Sequence, residues 1–457
     1  LIAVAHDFTQ QNKRGSVMLG KMAARAKRRA TIESGPDASA EVGLQNVIEQ
    51  LKSRLHIAVV FGGNKASPDS VVYRSQNTRS WKSYEPVAVD IAASLKRSGF
   101  RNVDIVPEDM QLSDRLRRNG THMAWLNTGG VQGRNSAAHA PSTLEMLGLP
   151  YVGHDPLNAT TLDNKHAFKR EAVCAGLPTA PFSTWDMTRG PFQPQLNSRF
   201  QLAFDGYPGP FIVKPVSGRA SLHVHVVSGL QDLPEMVADI HRQTGNLVLI
   251  EKYLPGREFC IAVAGRITAR DGVFTRGSEP FAFGALERVF ETDEMIFTSM
   301  DSRPITASRF KNVEPREGEL WTNIHKLARE VFLEFNLGTL IRIDLRADEN
   351  GKLHILEANP KPDLKYPTQG VTSLVSAGLS QTGLGYDDLL LSLLGDRLDF
   401  LLRNYRDTVR HVIDLLDDGT MDRLDNEQHL RTVEDNTDLA VCALNKTAQL
   451  MRTASRK

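Results

Sequence analysis

Between residues 340 and 360 apolar and polar side chains alternate, pause at Asp348-Glu349-Asn350-Gly351, and then alternate again. A period of two marks a half-buried strand, and Asn-Gly between two such runs marks a tight hairpin, because a type I′ turn needs positive φ at both central residues. With Asn350 and Gly351 as the turn, Glu349 faces Lys352, Asp344 lies opposite Glu357, and Arg342 lies opposite Asn359. Arg342, Asp344, Glu357 and Asn359 then share one face. Ile341, Ile343, Leu345, Leu356 and Ala358 share the other, which is the face expected to be buried. Residues 55–61 form an unbroken apolar run ended by Gly62-Gly63, the signature of a buried parallel strand. Residues 103–106 and 123–126 read as further short strands, and between 85 and 99 Val87, Ile91, Ala92 and Leu95 fall on one helical face. Strands and helices in alternation predict an α/β layer with its site at the strands' carboxyl ends.

Further along, a helix is expected to open at Thr161 and run to Cys174, stopped by Gly176 and Pro178. Strands are expected at 211–215, 222–227 and 247–254, with Pro255-Gly256 turning the chain into another. His223 and His225 share a face of the second of these, with no third ligand near, and read as ordinary strand histidines. From residue 384 the pattern is helical. Leu389, Leu390, Leu393, Leu394, Leu398, Leu401 and Leu402 form one apolar stripe, and Val409, Val412, Ile413, Leu415 and Leu416 a second, both expected to pack on the rest of the chain.

Composition narrows the function classes. With 41% hydrophobic and 24% charged residues in 457, the chain has the make-up of a globular protein of several domains. A formal net charge of +1 excludes a whole-chain role in gripping nucleic acid or anionic membrane, and no apolar run approaches the ~20 residues of a membrane helix. Cys174, Cys260 and Cys442 form neither a disulfide framework nor a zinc motif, so a reducing, cytoplasmic setting is expected. Residues 1–54 read as a basic extension whose acid-poor composition also resembles that of an organelle transit peptide. The run Gly129-Gly130-Val131-Gln132-Gly133 lacks dinucleotide-fingerprint spacing, and no Walker loop is present.

The candidate chemistry lies on the hairpin and ahead of it. Carboxylates directly opposed across a ladder repel, and a divalent cation removes that cost, since Asp, Glu and an Asn carbonyl are hard oxygen ligands. The alternative is a solvated face on which the charges lie too far apart to matter. Lys214, on a β-branched strand, is costly to bury unless an anion meets it, and the small residues of loop 216–221 can offer backbone N–H groups to phosphate there.

In order, Lys165, Lys214-Pro215 with its Ser/Gly loop, Glu251-Lys252-Tyr253-Leu254, Gly256-Arg257-Glu258, Arg342-Ile343-Asp344 and Glu357-Ala358-Asn359 resemble the ATP-grasp enzymes, specifically the D-alanine–D-alanine ligase branch. Residues 143–153 resemble that branch's amino-terminal domain, and the likeness covers about residues 55 to 367. It implies an α/β (α+β) ATP-grasp fold, with the basic extension at 1–54, a Rossmann-like pre-ATP-grasp domain at 55–160, a lid subdomain at 161–255, a metal-binding subdomain at 256–383 and a helical extension at 384–457. It further implies that Lys165 and Lys214 hold ATP phosphates under a lid that includes Ser217, Gly218 and Ser221. Glu251, Lys252, Tyr253 and Leu254 would meet the base and Glu258 the ribose. Asp344, Glu357 and Asn359 would hold two Mg²⁺ ions, with Mn²⁺ able to substitute, and Arg342 would steady an oxyanion. The implied reaction joins a small-molecule carboxylate to an amine through an acyl phosphate; a homodimer stays open.

Departures from that branch bear on the substrate. Where its members follow the metal-binding Asn with a short Gly-Met-Thr run, this chain carries Pro360-Lys361-Pro362-Asp363. Asn127-Thr128 replaces an expected His-Gly pair, and Glu85 is the candidate for holding the first substrate's ammonium group. A substrate pair other than two D-alanines is therefore expected, with Lys361 and Asp363 at the second site. Two other classes stay open: an ATP-grasp enzyme passing its acyl phosphate to a non-amine acceptor, and a nucleotide-binding regulator without catalysis.

Overall fold

A computed structural model describes residues 38–63, 83–133, 135–218, 221–296, 306–368, 373–417 and 419–420. Most of the basic extension, the polar stretch 64–82 and the tail from 421 lie outside the described residues. Helix α1 (Ala38–Arg54) buries Leu44, Val47, Ile48 and Leu51 and leads into β1 (His56–Phe61). With α2 (Glu85–Arg97), β2 (Asn102–Pro107), β3 (Met123–Asn127) and β4 (Tyr151–Val152), this strand builds a parallel sheet of order β2-β1-β3-β4. The unbroken apolar character of β1 follows from burial on both faces at the centre of that sheet.

Helix α3 (Pro156–Asp163) is capped by the Asp155 side chain, and α4 (Lys165–Cys174) by that of Asn164. The single helix expected from Thr161 to Cys174 is therefore two. Asn164 takes an extended conformation, ending the first helix, and its Oδ1 accepts the N–H groups of His166 and Ala167, both at 3.1 Å, to start the second.

Two sheets follow. Strands β5 (Phe182–Trp185), β6 (Phe211–Pro215), β7 (His225–Val227) and β8 (Val248–Lys252) pair antiparallel in the order β5-β8-β6-β7. Phe211, Val213, Val248 and Ile250 pack beneath α5 (Leu233–Thr244), which sends Ile212, Lys214 and Glu251 to the opposite face. The strand expected at 222–227 is shorter, because Ser221 and His223 take positive φ in a turn, so His223 and His225 do not share a strand face. Strands β9 (Glu258–Ala264), β10 (Ile267–Arg270), β11 (Val273–Arg276), β12 (Phe281–Arg288), β13 (Phe310–Asn312), β14 (Ile341–Ala347) and β15 (Leu353–Asn359) come next. Five of them form a sheet of order β13-β12-β9-β14-β15, while β10 and β11 make a separate hairpin. Phe259, Ile261, Val263, Ile341, Ile343 and Leu345 pack on α6 (Glu319–Glu334) and on Phe168 and Ala172 of α4, so α4 lies in the core of this sheet.

The hairpin carries an unexpected compensation. Asp348 N–H donates to the Lys352 carbonyl and Gly351 has φ 82°, so Glu349, Asn350 and Gly351 all belong to the connection, in place of the two-residue turn. That shifts Ala347 opposite Leu353 and Leu345 opposite Ile355. A β-bulge at Leu356 then adds one residue to β15, and beyond it Asp344 pairs with Glu357 and Arg342 with Asn359. The expected register is thus recovered where the charges lie. Leu356, expected in the core, is turned into the cavity instead, and Ile355 is fully buried in its place.

Helix α7 (Tyr386–Asn404) buries its leucine stripe, and Arg97 forks onto Asp387 at 2.6 and 2.8 Å. The second apolar group forms only a short helix, Arg410–Ile413, after a 3₁₀ turn. Among the described residues no helix is long and apolar enough to cross a membrane.

His154 links β4 to the start of β14, its Nε2 lying 3.3 Å from the Leu340 carbonyl. Burial pushes its pKa down to about 4. A base depressed on folding leaves stability intact above pH 6.5 and withdraws it as pH falls towards 4, by up to about 3 kcal/mol at 1.36 kcal/mol per unit. Denaturant titrations should therefore show His154→Gln gaining on the parent protein across that window. A difference independent of pH would refute the assignment.

Candidate functional site

The polar faces of the two antiparallel sheets enclose a cavity of about 390 Å³. Alternation along β6 and β8 supplies Lys214 and Glu251 from one side, and alternation along β9, β14 and β15 supplies Glu258, Arg342, Asp344, Arg346, Glu357 and Asn359 from the other. Lys165, Gly218, Ser221, Lys252, Tyr253, Leu254, Lys361 and Asp363 also line it. Three residues singled out from the sequence do not. Ser217 is half-buried at the start of the loop, Glu85 is exposed on the first turn of α2, and Asn127 is buried behind the wall. In their place the amino-terminal sheet contributes Tyr84 and Val87. Asn127 Nδ2 donates to the Tyr84 carbonyl at 3.0 Å, holding that residue at φ 56°, and Lys361 Nζ stands 3.4 Å over the Tyr84 ring.

The charges interlock. Lys165 Nζ lies 3.1 Å from Glu357 and 3.2 Å from the Gly218 carbonyl, so it joins β15 to the loop after β6. Withdrawal from water pushes the Glu357 carboxyl up, but Lys165 and Lys214 overcome this and hold it below the usual carboxylate range. Asp344, 3% exposed, accepts from Arg342 at 2.9 and 3.0 Å and from Arg288 at 2.9 Å. Arg288 also reaches Glu258 at 2.6 Å, whose other oxygen meets Arg346 at 3.2 Å. Burial works against the Arg288 charge, yet Asp344 and Glu258 raise its pKa. On the opposite wall Lys214 lies 2.9 Å from Glu251.

Fitness for a metal can be judged from the donor set. Among the described residues no three His, Cys, Asp or Glu side chains form a metal cluster. Asp344 and Glu357 are nevertheless opposed in register on a cavity wall, beside an Asn359 amide whose Nδ2 lies 3.5 Å from Asp344. Two carboxylates and an amide oxygen suit a hard divalent cation, and arginine and lysine balance the same carboxylates here.

Lys169, Arg288 and Arg346 escaped the sequence reading, and Leu356 was expected in the core instead of the cavity. Lys169 stands one helical turn after Lys165, and Arg346 continues the alternation through Arg342 and Asp344, so both left a local signal. Leu356 depends on the bulge. Arg288 enters from β12, a strand the periodicity did not reveal.

Against known proteins, residues 173–395 match the family model for the D-ala D-ala ligase C-terminus. The match runs past residue 367 into α7, farther than the motifs alone suggested. The chain is 29% identical over 255 residues, 56% of its length and 70% of the relative's, to an uncharacterized protein, y4sG, of Sinorhizobium fredii. It is 24% identical over 310 residues, 68% of its length and 92% of the relative's, to a D-alanine–D-alanine ligase of Gloeobacter violaceus. In structure it resembles the D-alanine–D-alanine ligase of Bacillus anthracis complexed with ATP, with a TM-score of 0.53 and 19% identity, covering 76% of this chain and 98% of that one. The VanG D-Ala:D-Ser ligase of Enterococcus faecalis gives a TM-score of 0.53 at 16% identity, covering 75% and 99%.

Proposed function

We propose that this chain, an ATP-grasp protein of the D-alanine–D-alanine ligase-like kind, activates a carboxylate with ATP and joins it to an amine other than D-alanine. The observation that carries the reading is the opposition of Asp344 and Glu357 across β14 and β15, in one cavity with Lys165 and Lys214. Lys165 and Lys214 bind the phosphates, and a lid that includes Ser217, Gly218 and Ser221 excludes water that would hydrolyse an acyl phosphate. Glu251, Lys252, Tyr253 and Leu254 take the base end of the nucleotide, and Leu356 adds an apolar surface to the same cavity. Asp344, Glu357 and Asn359 would hold Mg²⁺, which when bound supplies positive charge to the phosphate oxygens.

The substrate carboxylate attacks the γ-phosphorus, the bond to the β-phosphate oxygen breaks, and ADP leaves. The amine nitrogen then attacks the acyl carbon, phosphate departs with the C–O bonding pair, and the nitrogen loses a proton to leave an amide. Arg342, which donates to Asp344 on the same cavity wall, would donate to the oxyanion of that step.

Lys361, over the Tyr84 ring, and Asp363 put opposite charges on the cavity wall beyond Asn359. They support a polar acceptor rather than a methyl-bearing one. The test is Mg²⁺-dependent ADP release across paired carboxylates and amines. Release that requires both, with an amide product, is expected. Release that needs no amine would move the reading to a non-amine acceptor, and nucleotide binding without turnover would make the protein a regulator.

A further inference from the structure

Lys169 is fully buried on α4, with its ammonium against three different segments of the chain. Thr179 Oγ1 lies at 2.5 Å, the Ile355 carbonyl at 3.5 Å and Glu251 Oε1 at 3.5 Å. The Thr179 hydroxyl itself donates to the Ile355 carbonyl at 3.0 Å, so this cluster is fastened to β15 two residues before Glu357. Lys165 and Lys169 are one turn apart on the same helix face. One reaches a carboxylate of the five-stranded sheet and the other a carboxylate of the four-stranded sheet, so α4 spans the two.

Glu251 Oε1 is shared. Lys214 is the nearer partner at 2.9 Å and Lys169 the farther, and neither contact has the alignment of a hydrogen bond. Lys214 also lines the cavity, where the proposed phosphates would compete for its charge. If it were the sole counter-ion, each binding event would leave a buried carboxylate unpaired, which is strongly unfavourable.

We propose that Lys169 is a positioning residue: it stays with Glu251 when bound phosphate draws Lys214 away, keeping that carboxylate ionised and in place at the base end of the cavity. The inference rests on the nucleotide reading above. Burial lowers the Lys169 pKa and Glu251 raises it, leaving it at about 8, so the ammonium form prevails at neutral pH.

Calorimetric titration of the full chain with MgATP and with adenosine tests this. Adenosine has no phosphate to attract Lys214 and should bind Lys169→Met almost as it binds the parent. MgATP should bind the variant about tenfold more weakly or worse, as expected for a buried charge left unpaired. Adding Glu251→Gln to Lys169→Met should restore part of the difference between the two ligands, because no carboxylate is then stranded. Lys169→Gln keeps donors for Thr179 and Ile355 and should show the same selective loss if the methionine variant fails to fold. Equal weakening of both ligands, or of neither, would reduce Lys169 to a packing residue and overturn the proposal. A parent protein that binds no ATP would instead bring down the nucleotide reading itself.

Discussion

Glu357→Gln should lose ATP turnover by about 10³-fold or more while melting close to the parent protein. The two halves of that result have separate causes. Glu357 is 28% exposed into the cavity and pairs with Lys165, which also has the Gly218 carbonyl, so a glutamine whose amide oxygen still accepts from Lys165 keeps that ammonium partnered. The chemistry is less tolerant. Glu357 and Asp344 are the two acids that the hairpin presents to the cavity, and under the proposed metal role a neutral amide halves the negative charge available to a divalent cation there. Rates of Mg²⁺-dependent ADP release beside a thermal melt decide the matter. Parent-like turnover would remove Glu357 from the site.

Its cross-strand neighbour should behave differently. Asp344→Asn is expected to abolish turnover and also to destabilise the fold by about 3–5 kcal/mol, because Asp344 is 3% exposed and balances two buried guanidinium groups, Arg342 and Arg288. A second substitution separates the effects. Arg288→Met in the Asp344→Asn background removes one of the uncompensated cations, so stability should partly return while turnover does not. Denaturant unfolding of the single and double variants supplies the measurement. If Asp344→Asn unfolds like the parent protein, the arginines do not depend on it and the charge network has been misread. Opposed residues of the same chemical type are thus expected to differ, and the reason is burial: both line the cavity, but Asp344 also balances two buried arginines.

Part of this was open to a reader of the sequence. Alternating polarity assigned β14 and β15 and gathered Arg342, Asp344, Glu357 and Asn359 on one face, because a strand's side chains have a fixed period whatever surrounds it. The apolar runs and stripes marked β1, α2 and α7 for the same local reason. The turn itself was misjudged, yet the charged pairs survived, since the added residue in the connection is matched by one at the Leu356 bulge. No local rule foretells that bulge, which trades Leu356 for Ile355 in the core and puts a leucine in the cavity. Arg288 was equally out of reach, because it meets Asp344 from a strand 56 residues away in the chain. Backbone periodicity and turn chemistry are properties of a few neighbouring residues and can be read in order along the chain. Which buried charge answers which, and which apolar residue fills the core, depends on segments that meet only after the sheets have packed.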